Sequence, residues 1–398
     1  MPDSPPFLET LSLSTDCPML TADLPGIGGV LKTEPHDFIV EEIPAYQPCG
    51  DGEHLFLWIE KTGVPADQLG RHLAEALHIT PRELGTAGLK DTHAVTRQFV
   101  SVPRKVESRL KAIDTDGIKL LKATPHQNKL RTGHLRGNRF QVLVREKKNA
   151  VWRAGGVSPP VDCEEDPASS PTGGLTPPAR QGELIAALTI AERVRQIGVP
   201  NYYGSQRFGN KNSTLKLGLK LLNEARESNA APREANRPNR RFLHRLALSA
   251  AQSWLFNNVL AERLRDELLS QVLLGDIMQK CESGGIFDVR DVAVEQPRFV
   301  ARETVITGPM FGPKMKPTLH EPAVREQRVL AASGLTLDGF RRFGHLAEGT
   351  RRPLLVWPED LQIRAVADGL LFEFSLPSGA YATVVLREFM KVDVLESE

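Results

Sequence analysis

A lysine and an aspartate, Lys90 and Asp91, stand side by side where a run of small residues gives way to an alternating segment. The small residues at 85–88 allow the backbone to approach another surface closely. Beyond the pair, Thr96 and Gln98 fall on one face of a segment whose period is typical of a β-strand. A carboxylate at such a junction suits catalysis, because the strand fixes it and the loop leaves room for a substrate. The same residues also fit a solvated pair in an ordinary loop, and alone they favour that simpler interpretation.

Two predicted strands and two predicted helices precede this junction and must position it. Residues 36–43 and 54–60 alternate between apolar and polar positions, which predicts a strand in each. A helix follows, with a leucine at every fourth position from Leu69 to Leu77. Residues 80–83, Thr-Pro-Arg-Glu, have the pattern of a capping box and predict a short helix that leads the chain back to the small residues.

The character of the chain changes twice after this point. Residues 154–181 are rich in glycine, proline and serine, which predicts a disordered surface insertion. Residues from about 210 to 350 read as mostly helical, with the longest helix at about 241–267 and a loop at 308–312. Strand patterns return after Arg351, and a last helix follows them.

Composition places the chain among ordinary globular proteins of two or three domains. Its 398 residues are 40% hydrophobic and 25% charged. No apolar run approaches the ~18 residues that span a bilayer, and the first residues do not resemble a signal peptide, so we expect no membrane partner and a cytoplasmic location. The cysteines are scattered, without metal-ligand spacing, which predicts neither a metal site nor a disulfide framework; they are Cys17, Cys49, Cys163 and Cys281.

Basic residues are concentrated in two blocks although the net charge is only +1. Residues 204–252 contain ten lysines and arginines against three acidic residues, and residues 129–148 contain seven against one. Such blocks in a nearly neutral protein suit a polyanion that binds at one place. They fit a charged, solvated surface equally well, and composition does not decide between the two.

The central stretch resembles a known signature. Gly88-Leu-Lys-Asp91, followed by Ala94-Val-Thr-Arg-Gln98, is similar to the motif of the TruD family of tRNA pseudouridine synthases. Further blocks of that family occur in the expected order, and the match covers nearly the whole chain apart from residues 1–25 and 154–181. These blocks are Lys32-Thr-Glu-Pro-His-Asp-Phe-Ile-Val-Glu41, Gly50-Asp-Gly-Glu-His54, Gly137-Asn-Arg-Phe140, Asn201-Tyr-Tyr-Gly-Ser-Gln-Arg-Phe-Gly209 and Leu376-Pro-Ser-Gly-Ala-Tyr-Ala-Thr-Val-Val-Leu-Arg-Glu388.

The resemblance implies an α+β fold, in which a pseudouridine synthase-type catalytic domain carries a mixed β-sheet with helices. A mostly helical TruD insertion domain interrupts it. The implied boundaries place the catalytic domain at 26–207 and 351–398 and the insertion domain at 208–350. The strand patterns that end near 209 and return near 351 agree with this division.

The resemblance also implies an activity and the residues that carry it. The family isomerises a tRNA uridine, at position 13 of the D-arm, to pseudouridine with a catalytic aspartate and without a cofactor or metal. Asp91 matches that aspartate, as nucleophile or as base, and Lys32 matches the cation that favours its ionised form. We assign Lys90 to a phosphate, since an extended backbone would point it away from Asp91. Arg207 and the arginines of 237–245 are further candidates for phosphate contacts.

Four more residues match positions that hold the flipped target base: Phe38, Asn138, Phe140 and Tyr381. Phe38 and Phe140 also fit as core residues of alternating strands, and Asn138 also fits as a turn residue. Tyr381 departs from the phenylalanine of some members, so stacking is retained but its hydroxyl needs a partner.

Two other functions compete with this one. A tRNA-binding or folding protein without turnover would use the same scaffold, but would have no need of a buried carboxylate near an anion. A nucleotide-dependent RNA-modifying enzyme is disfavoured, because the glycines at 26–29 lack the third glycine of a dinucleotide fingerprint and do not open a helix. The sequence indicates no particular protein partner.

Overall fold

The structure, a computed structural model, describes residues 17–88, 90–146, 178–227 and 238–392. Most of the insertion predicted at 154–181 therefore lies outside the described residues. Among the helices that are described, none is long and apolar enough to cross a membrane.

The strands are concentrated at 38–145 and at 350–377, and others lie between these two regions. In chain order they are β1 (Phe38–Pro44), β2 (His54–Thr62), β3 (Gly85–Thr86), β4 (Val95–Pro103), β5 (Ile118–His126), β6 (Leu135–Arg145), β7 (Val199–Pro200), β8 (Ile277–Lys280), β9 (Ile286–Asp288), β10 (Thr304–Met310), β11 (Thr350–Pro353), β12 (Leu355–Val356), β13 (Glu359–Val366) and β14 (Gly369–Pro377).

The α-helices are concentrated between β6 and β11. They are α1 (Ala66–Leu77), α2 (Pro178–Ile197), α3 (Ser213–Glu227), α4 (Pro238–Arg265), α5 (Val292–Val300), α6 (His320–Ala332), α7 (Leu337–Arg341) and α8 (Ala382–Met390). The capping box predicted at Thr80 is present, and it caps a short 3-10 helix at Pro81–Glu83.

Two compact units divide the chain, and both are discontinuous in sequence. The sheet unit comprises Leu24–Glu192, Pro358–Gly379 and Phe389–Glu398, and the helical unit comprises Met1–Asp23, Arg193–Trp357 and Ala380–Glu388. The domain boundaries expected from the sequence, near 208 and 350, stay a proposal.

The sheet unit contains a mixed sheet with the strand order β13-β14-β6-β1-β4-β2-β5, and β3 pairs with β4 at its side. β1 runs parallel to β4, and the neighbouring pairs are antiparallel. The predicted α+β class with a mixed sheet is thereby confirmed.

One face of this sheet packs against α1. Leu55, Leu57 and Ile59 of β2 are fully buried there. Leu69 and Leu73 of α1 fall on one side of the helix because they are four residues apart, and both are buried in the same core. Each such leucine contributes about 1.5–3 kcal/mol on burial. The packing fixes β2, which reaches the candidate site at its C-terminal end.

The helical unit is held together by α3 and α4. Gly218 of α3 lies so close to α4 that a Cβ there would collide with the main-chain oxygen of Ala247. Leu219 and Leu222 on α3 and Leu255 on α4 are buried in one core. The longest predicted helix, at about 241–267, corresponds to α4.

The helical unit also contains strands that the sequence pattern did not predict. β8 to β11 form a sheet with the order β11-β10-β8-β9. The loop predicted at 308–312 is wrong for residues 308–310, because β10 continues through Gly308 and Pro309 to Met310 and all its residues are buried. A Cβ at Gly308 would collide with Leu354, so this glycine serves close packing rather than a turn. The segment remains mostly helical, but it is not free of strands.

Candidate active site

Asp91 lies just before β4, where the chain enters the sheet. Its carboxylate is exposed, with 42% of the side chain accessible, so the expectation of a buried carboxylate is wrong. Lys61 fixes its main chain. The Lys61 ammonium donates one hydrogen bond of 2.7 Å to the carbonyl oxygen of Asp91 and another of 2.8 Å to that of Val64. The arrangement fixes the backbone of Asp91 and leaves its side chain available to a substrate.

Lys61 is a buried cation directly under this junction. Its side chain is fully buried. Burial lowers the pKa of Lys61 from 10.5 to about 8, the positive charge of Lys90 acts in the same direction, and the negative charge of Asp91 opposes both. The charge beneath the aspartate therefore responds to pH in a range where an ordinary lysine does not.

Lys32 supplies the charge that faces the carboxylate itself. Its Nζ lies 3.3 Å from Oδ2 of Asp91 and 4.7 Å from the centre of the Phe38 ring. Backbone hydrogen bonds in both directions between Val30 and Arg145 attach the segment before it to the end of β6. Lys32 has a φ of 57°, a left-handed conformation that few non-glycine residues adopt. The structure thus brings together two residues that lie 59 positions apart in sequence.

Lys90 points away from Asp91 into a buried polar cluster. Its Nζ lies 3.0 Å from Oε1 of Glu42 and donates a hydrogen bond of 2.6 Å to Oδ1 of Asn138. The side chains of Lys90 and Glu42 are 6% and 2% exposed. Burial raises the pKa of Glu42, while Lys90 and a hydrogen bond from the amide of Phe99 oppose the increase. This environment does not favour the predicted phosphate contact of Lys90.

Asn138 is fixed by the register of three strands. On β6 it lies opposite Glu42 of β1 and Leu376 of β14. Gly137 precedes it at a point where a Cβ would collide with the main-chain oxygen of Leu376, so only glycine allows the strands to approach there. Asn138 is half-buried, so part of the residue remains accessible.

Phe38 lies on β1 beneath Lys32, and Phe140 lies next to it on β6. Their rings meet edge to face, with centres 6.1 Å apart, and Phe140 stacks on Phe374 at 5.5 Å. They are 2% and 6% exposed. Base stacking on either ring stays a prediction, and this burial favours a packing role, in which Phe38 supports Lys32.

Two further polar groups lie on the same face of the sheet as Lys61 and Glu42. Thr96 and Gln98 of β4 are buried, at 0% and 2% exposed. Within the described part of the chain, Oγ1 of Thr96 and Oε1 of Gln98 have no hydrogen-bond partner. A buried polar row therefore runs beneath the candidate site, with capacity for additional hydrogen bonds.

Arg207 and Tyr381, the remaining predicted site residues, belong to the helical unit and surround Tyr203. The guanidinium groups of Arg352 and Arg207 lie 4.1 and 5.6 Å from the centre of the Tyr203 ring, and Tyr381 meets it edge-on at 6.0 Å. Arg207 also donates a hydrogen bond of 3.3 Å to the hydroxyl of Ser253 on α4. The phosphate contact of Arg207 and the stacking role of Tyr381 stay predictions.

The first basic block is partly engaged with protein carboxylates. Arg145 pairs with buried Asp37 at 2.8 Å, and Arg139 lies 3.7 Å from Glu41. Lys147 and Lys148 lie outside the described residues.

In the second block, Arg241 contacts the imidazole of His345, and Arg240, Arg241 and Arg245 are exposed on α4. Arg237, predicted to share this surface, lies outside the described residues, as does Arg233.

Comparison with known proteins decides the family. The family "tRNA pseudouridine synthase D (TruD)" matches residues 14–158 and 219–389. The chain belongs to this family. Membership makes it an enzyme of the isomerase class and confirms the resemblance seen in the sequence.

Curated relatives of this TruD-family chain are similar over almost its full length. The tRNA pseudouridine synthase D of Anaeromyxobacter sp. (strain Fw109-5) is 40% identical over 379 residues, which cover 95% of this chain and 97% of that protein. A tRNA pseudouridine synthase D of Thermus thermophilus is 38% identical over 380 residues, or 95% and 93% of the two chains.

A solved structure shows the same fold. The crystal structure of the putative tRNA pseudouridine synthase D (TruD) from Methanosarcina mazei superposes with a TM-score of 0.71 at 24% identity. The matched region covers 94% of this chain and 96% of the Methanosarcina mazei chain.

Sequence reasoning about this TruD-family chain missed Lys61 and Glu42. A signal for both was present, because each continues the apolar phase of its strand. Lys61 follows Leu57 and Ile59 at intervals of two, and Glu42 follows Val40 in the same way. A charged residue on the buried face of a strand needs a partner, and is therefore a candidate for a functional cluster.

Proposed function

We propose that this protein converts uridine to pseudouridine in tRNA, at position 13 of the D-arm, with Asp91 as its catalytic residue and without a cofactor. The names of its curated relatives support pseudouridine formation on tRNA. The position in the D-arm rests on the resemblance of the motifs.

The observation that carries the proposal is the environment of Asp91. Its carboxylate is exposed and lies 3.3 Å from the ammonium of Lys32, while Lys61 fixes its main chain. An acidic side chain in a surface loop needs neither a buried cation under its backbone nor a second cation from a distant segment. Both cations suit a nucleophile or base, because such a residue must be ionised and precisely placed.

The reaction requires one bond to break and another to form at the same sugar carbon. The N1–C1′ bond of uridine breaks, the uracil turns, and C5 bonds to C1′; C5 then loses its proton and N1 gains one. Substrate and product contain the same atoms, so the chemistry consumes no oxidant, reductant or group donor. Asp91 either attacks C1′ or removes a proton from the sugar, and in both roles it acts as the carboxylate that Lys32 stabilises.

Asn138 is the group we assign to the flipped uracil, because it is a half-buried amide beside a buried ion pair. Lys32 faces the aspartate, and the buried rings of Phe38 and Phe140 lie next to one another behind it as further proposed substrate contacts. Arg207 and Tyr381 of the helical unit remain proposed substrate contacts.

The proposal is tested by incubating tRNA transcripts with the purified protein in the presence of EDTA and no added cofactor, followed by pseudouridine mapping. We expect one modified position in the D-arm, and none in a transcript with cytidine there. A protein that binds tRNA tightly but forms no pseudouridine in any transcript would be the non-catalytic binding protein instead.

A further inference from the structure

We propose that Lys90 determines the base specificity of the site by fixing the orientation of the Asn138 amide. The inference rests on the proposed function, since it concerns how the same site distinguishes uracil from cytosine. Lys90 is in this view a positioning residue that acts through Asn138.

The first step is the direction of the hydrogen bond. Nζ of Lys90 lies 2.6 Å from the Asn138 amide. An ammonium group can only donate, so the amide oxygen must face Lys90 and the amide nitrogen must face away from it. The assignment of oxygen and nitrogen in this asparagine therefore follows from the chemistry of its neighbour.

The second step is that neither partner is able to rotate away. Lys90 is buried and paired with Glu42, whose other carboxylate oxygen accepts a hydrogen bond of 2.9 Å from the amide of Phe99. The backbone of Asn138 is fixed by strand pairing on both sides, opposite Glu42 and Leu376. If the amide turned by 180°, its NH₂ group would face the ammonium of buried Lys90, donor against donor.

The third step is the match to the base. An amide in this orientation offers a donor, Nδ2, beside an oxygen that has a second lone pair. Uracil presents a carbonyl oxygen beside N3–H, which is the complementary pattern. Cytosine presents an amino group beside an unprotonated N3, which is the reverse pattern and requires the flipped amide. A freely rotating asparagine would accept both bases, whereas one fixed by Lys90 accepts uracil.

The test measures how strongly the site prefers uridine to cytidine at the target position, and not activity alone. Transcripts with uridine at the target position serve as substrates, and otherwise identical transcripts with cytidine serve as competitive inhibitors. The ratio of the inhibition constant for the cytidine transcript to KM for the uridine transcript reports how strongly the site rejects cytosine. For Lys90→Met we expect this ratio to fall roughly tenfold, the size of one lost bidentate base contact. Lys90→Arg, which keeps a donor-only group, should retain more of it.

Two further variants separate specificity from folding. Glu42→Gln removes the carboxylate charge that pairs with Lys90, so its ratio should fall between those of the wild type and Lys90→Met. Asn138→Asp keeps the hydrogen bond to Lys90 but has no donor for a uracil oxygen, so the ratio should fall even if Lys90→Met does not fold. Thermal melting of each variant shows whether it is folded.

An unchanged ratio in folded Lys90→Met, or in Asn138→Asp, overturns the inference. If the wild-type protein forms no pseudouridine, the proposed function fails and the inference fails with it. If the wild-type protein forms pseudouridine, an unchanged ratio in folded Lys90→Met with a lower ratio in Asn138→Asp rejects only the role of Lys90.

Discussion

The ammonium of Lys61 donates a hydrogen bond of 2.7 Å to the main-chain oxygen of Asp91. The bond joins the end of β2 to the loop that precedes β4, and a second bond of 2.8 Å to the main-chain oxygen of Val64 fixes the lysine itself. The contact is to the backbone, so the carboxylate of Asp91 stays available. The two lysines therefore have different roles. Lys61 fixes the main chain of Asp91, and Lys32 faces its carboxylate.

The lowered pKa of Lys61 predicts how stability depends on pH. Between pH 8 and about 10 the unfolded chain keeps the proton on Lys61, whereas the folded protein has released it. The unfolded state then binds more protons, so the free energy of unfolding rises with pH, by at most about 1.4 kcal/mol per pH unit from this group. Lys61→Met lacks the effect, so the wild type should gain stability relative to the variant over this range.

The measurement is urea unfolding of both proteins at pH 7.5, 8.5 and 9.5. Lys111→Met, which removes an exposed lysine of the same unit, controls for the loss of one charge. A stability difference between wild type and Lys61→Met that is the same at all three pH values contradicts the prediction.

Asp91→Asn should abolish pseudouridine formation and leave tRNA binding within about twofold of the wild type. The amide is isosteric with the carboxylate but can neither attack C1′ nor accept a proton, so we expect a loss of at least about a thousandfold in single-turnover rate. Asp51→Asn, at an exposed turn of the same unit, is the matched control and should be fully active. Residual turnover of Asp91→Asn within about tenfold of the wild type would reject the assignment.

Lys32→Met should lower kcat by about ten- to a hundredfold with little change in tRNA affinity. The expected size is that of a lost hydrogen bond to a charged group, which is about 1.5–3 kcal/mol. Lys32→Arg, which keeps the charge, should retain more activity than Lys32→Met. Single-turnover kinetics measure the effect, and equal rates for the three proteins would remove Lys32 from the mechanism.

Gly137→Ala should destabilise the protein by about 1–3 kcal/mol, because the new Cβ collides with the main-chain oxygen of Leu376. The strand must shift to accommodate it, and Asn138 shifts with it, so KM or kcat should also change. Gly70→Ala on α1 is the control, since a Cβ there has no heavy atom within 4 Å and should stabilise the helix by about 0.5–1 kcal/mol. Denaturant unfolding measures both, and a neutral Gly137→Ala would contradict the predicted close contact.

Replacing Arg241 and Arg245 together by glutamine should weaken tRNA binding and reduce its salt dependence. The two lie four residues apart on α4 and form one exposed basic ridge. If each contacts a phosphate, the slope of log affinity against log salt should fall by about two units. Arg341→Gln, at an exposed arginine paired with Asp338, is the control. An unchanged slope in the double variant would mean that this ridge only keeps the helix soluble.

Much of the fold followed from local patterns. The alternation in residues 36–43 and 54–60 predicted β1 and β2, and the leucine spacing predicted α1, because a strand or helix that buries one face must repeat its apolar residues with its own period. β10 was missed for the opposite reason. Gly308 and Pro309 have the local preference of a turn, and close packing against Leu354, a residue distant in sequence, overrides it.

The sequence by itself determined the family, the α+β class and the identity of Asp91 as the leading candidate, because these depend on residue types and their order. Only the tertiary structure decided which charges meet. Lys32 reaches Asp91 across 59 positions of sequence, and Lys90 turns instead to Glu42 and to Asn138, which is 48 positions away. Strand order and register set those distances, and both arise from the packing of the whole sheet, which no short stretch of sequence contains.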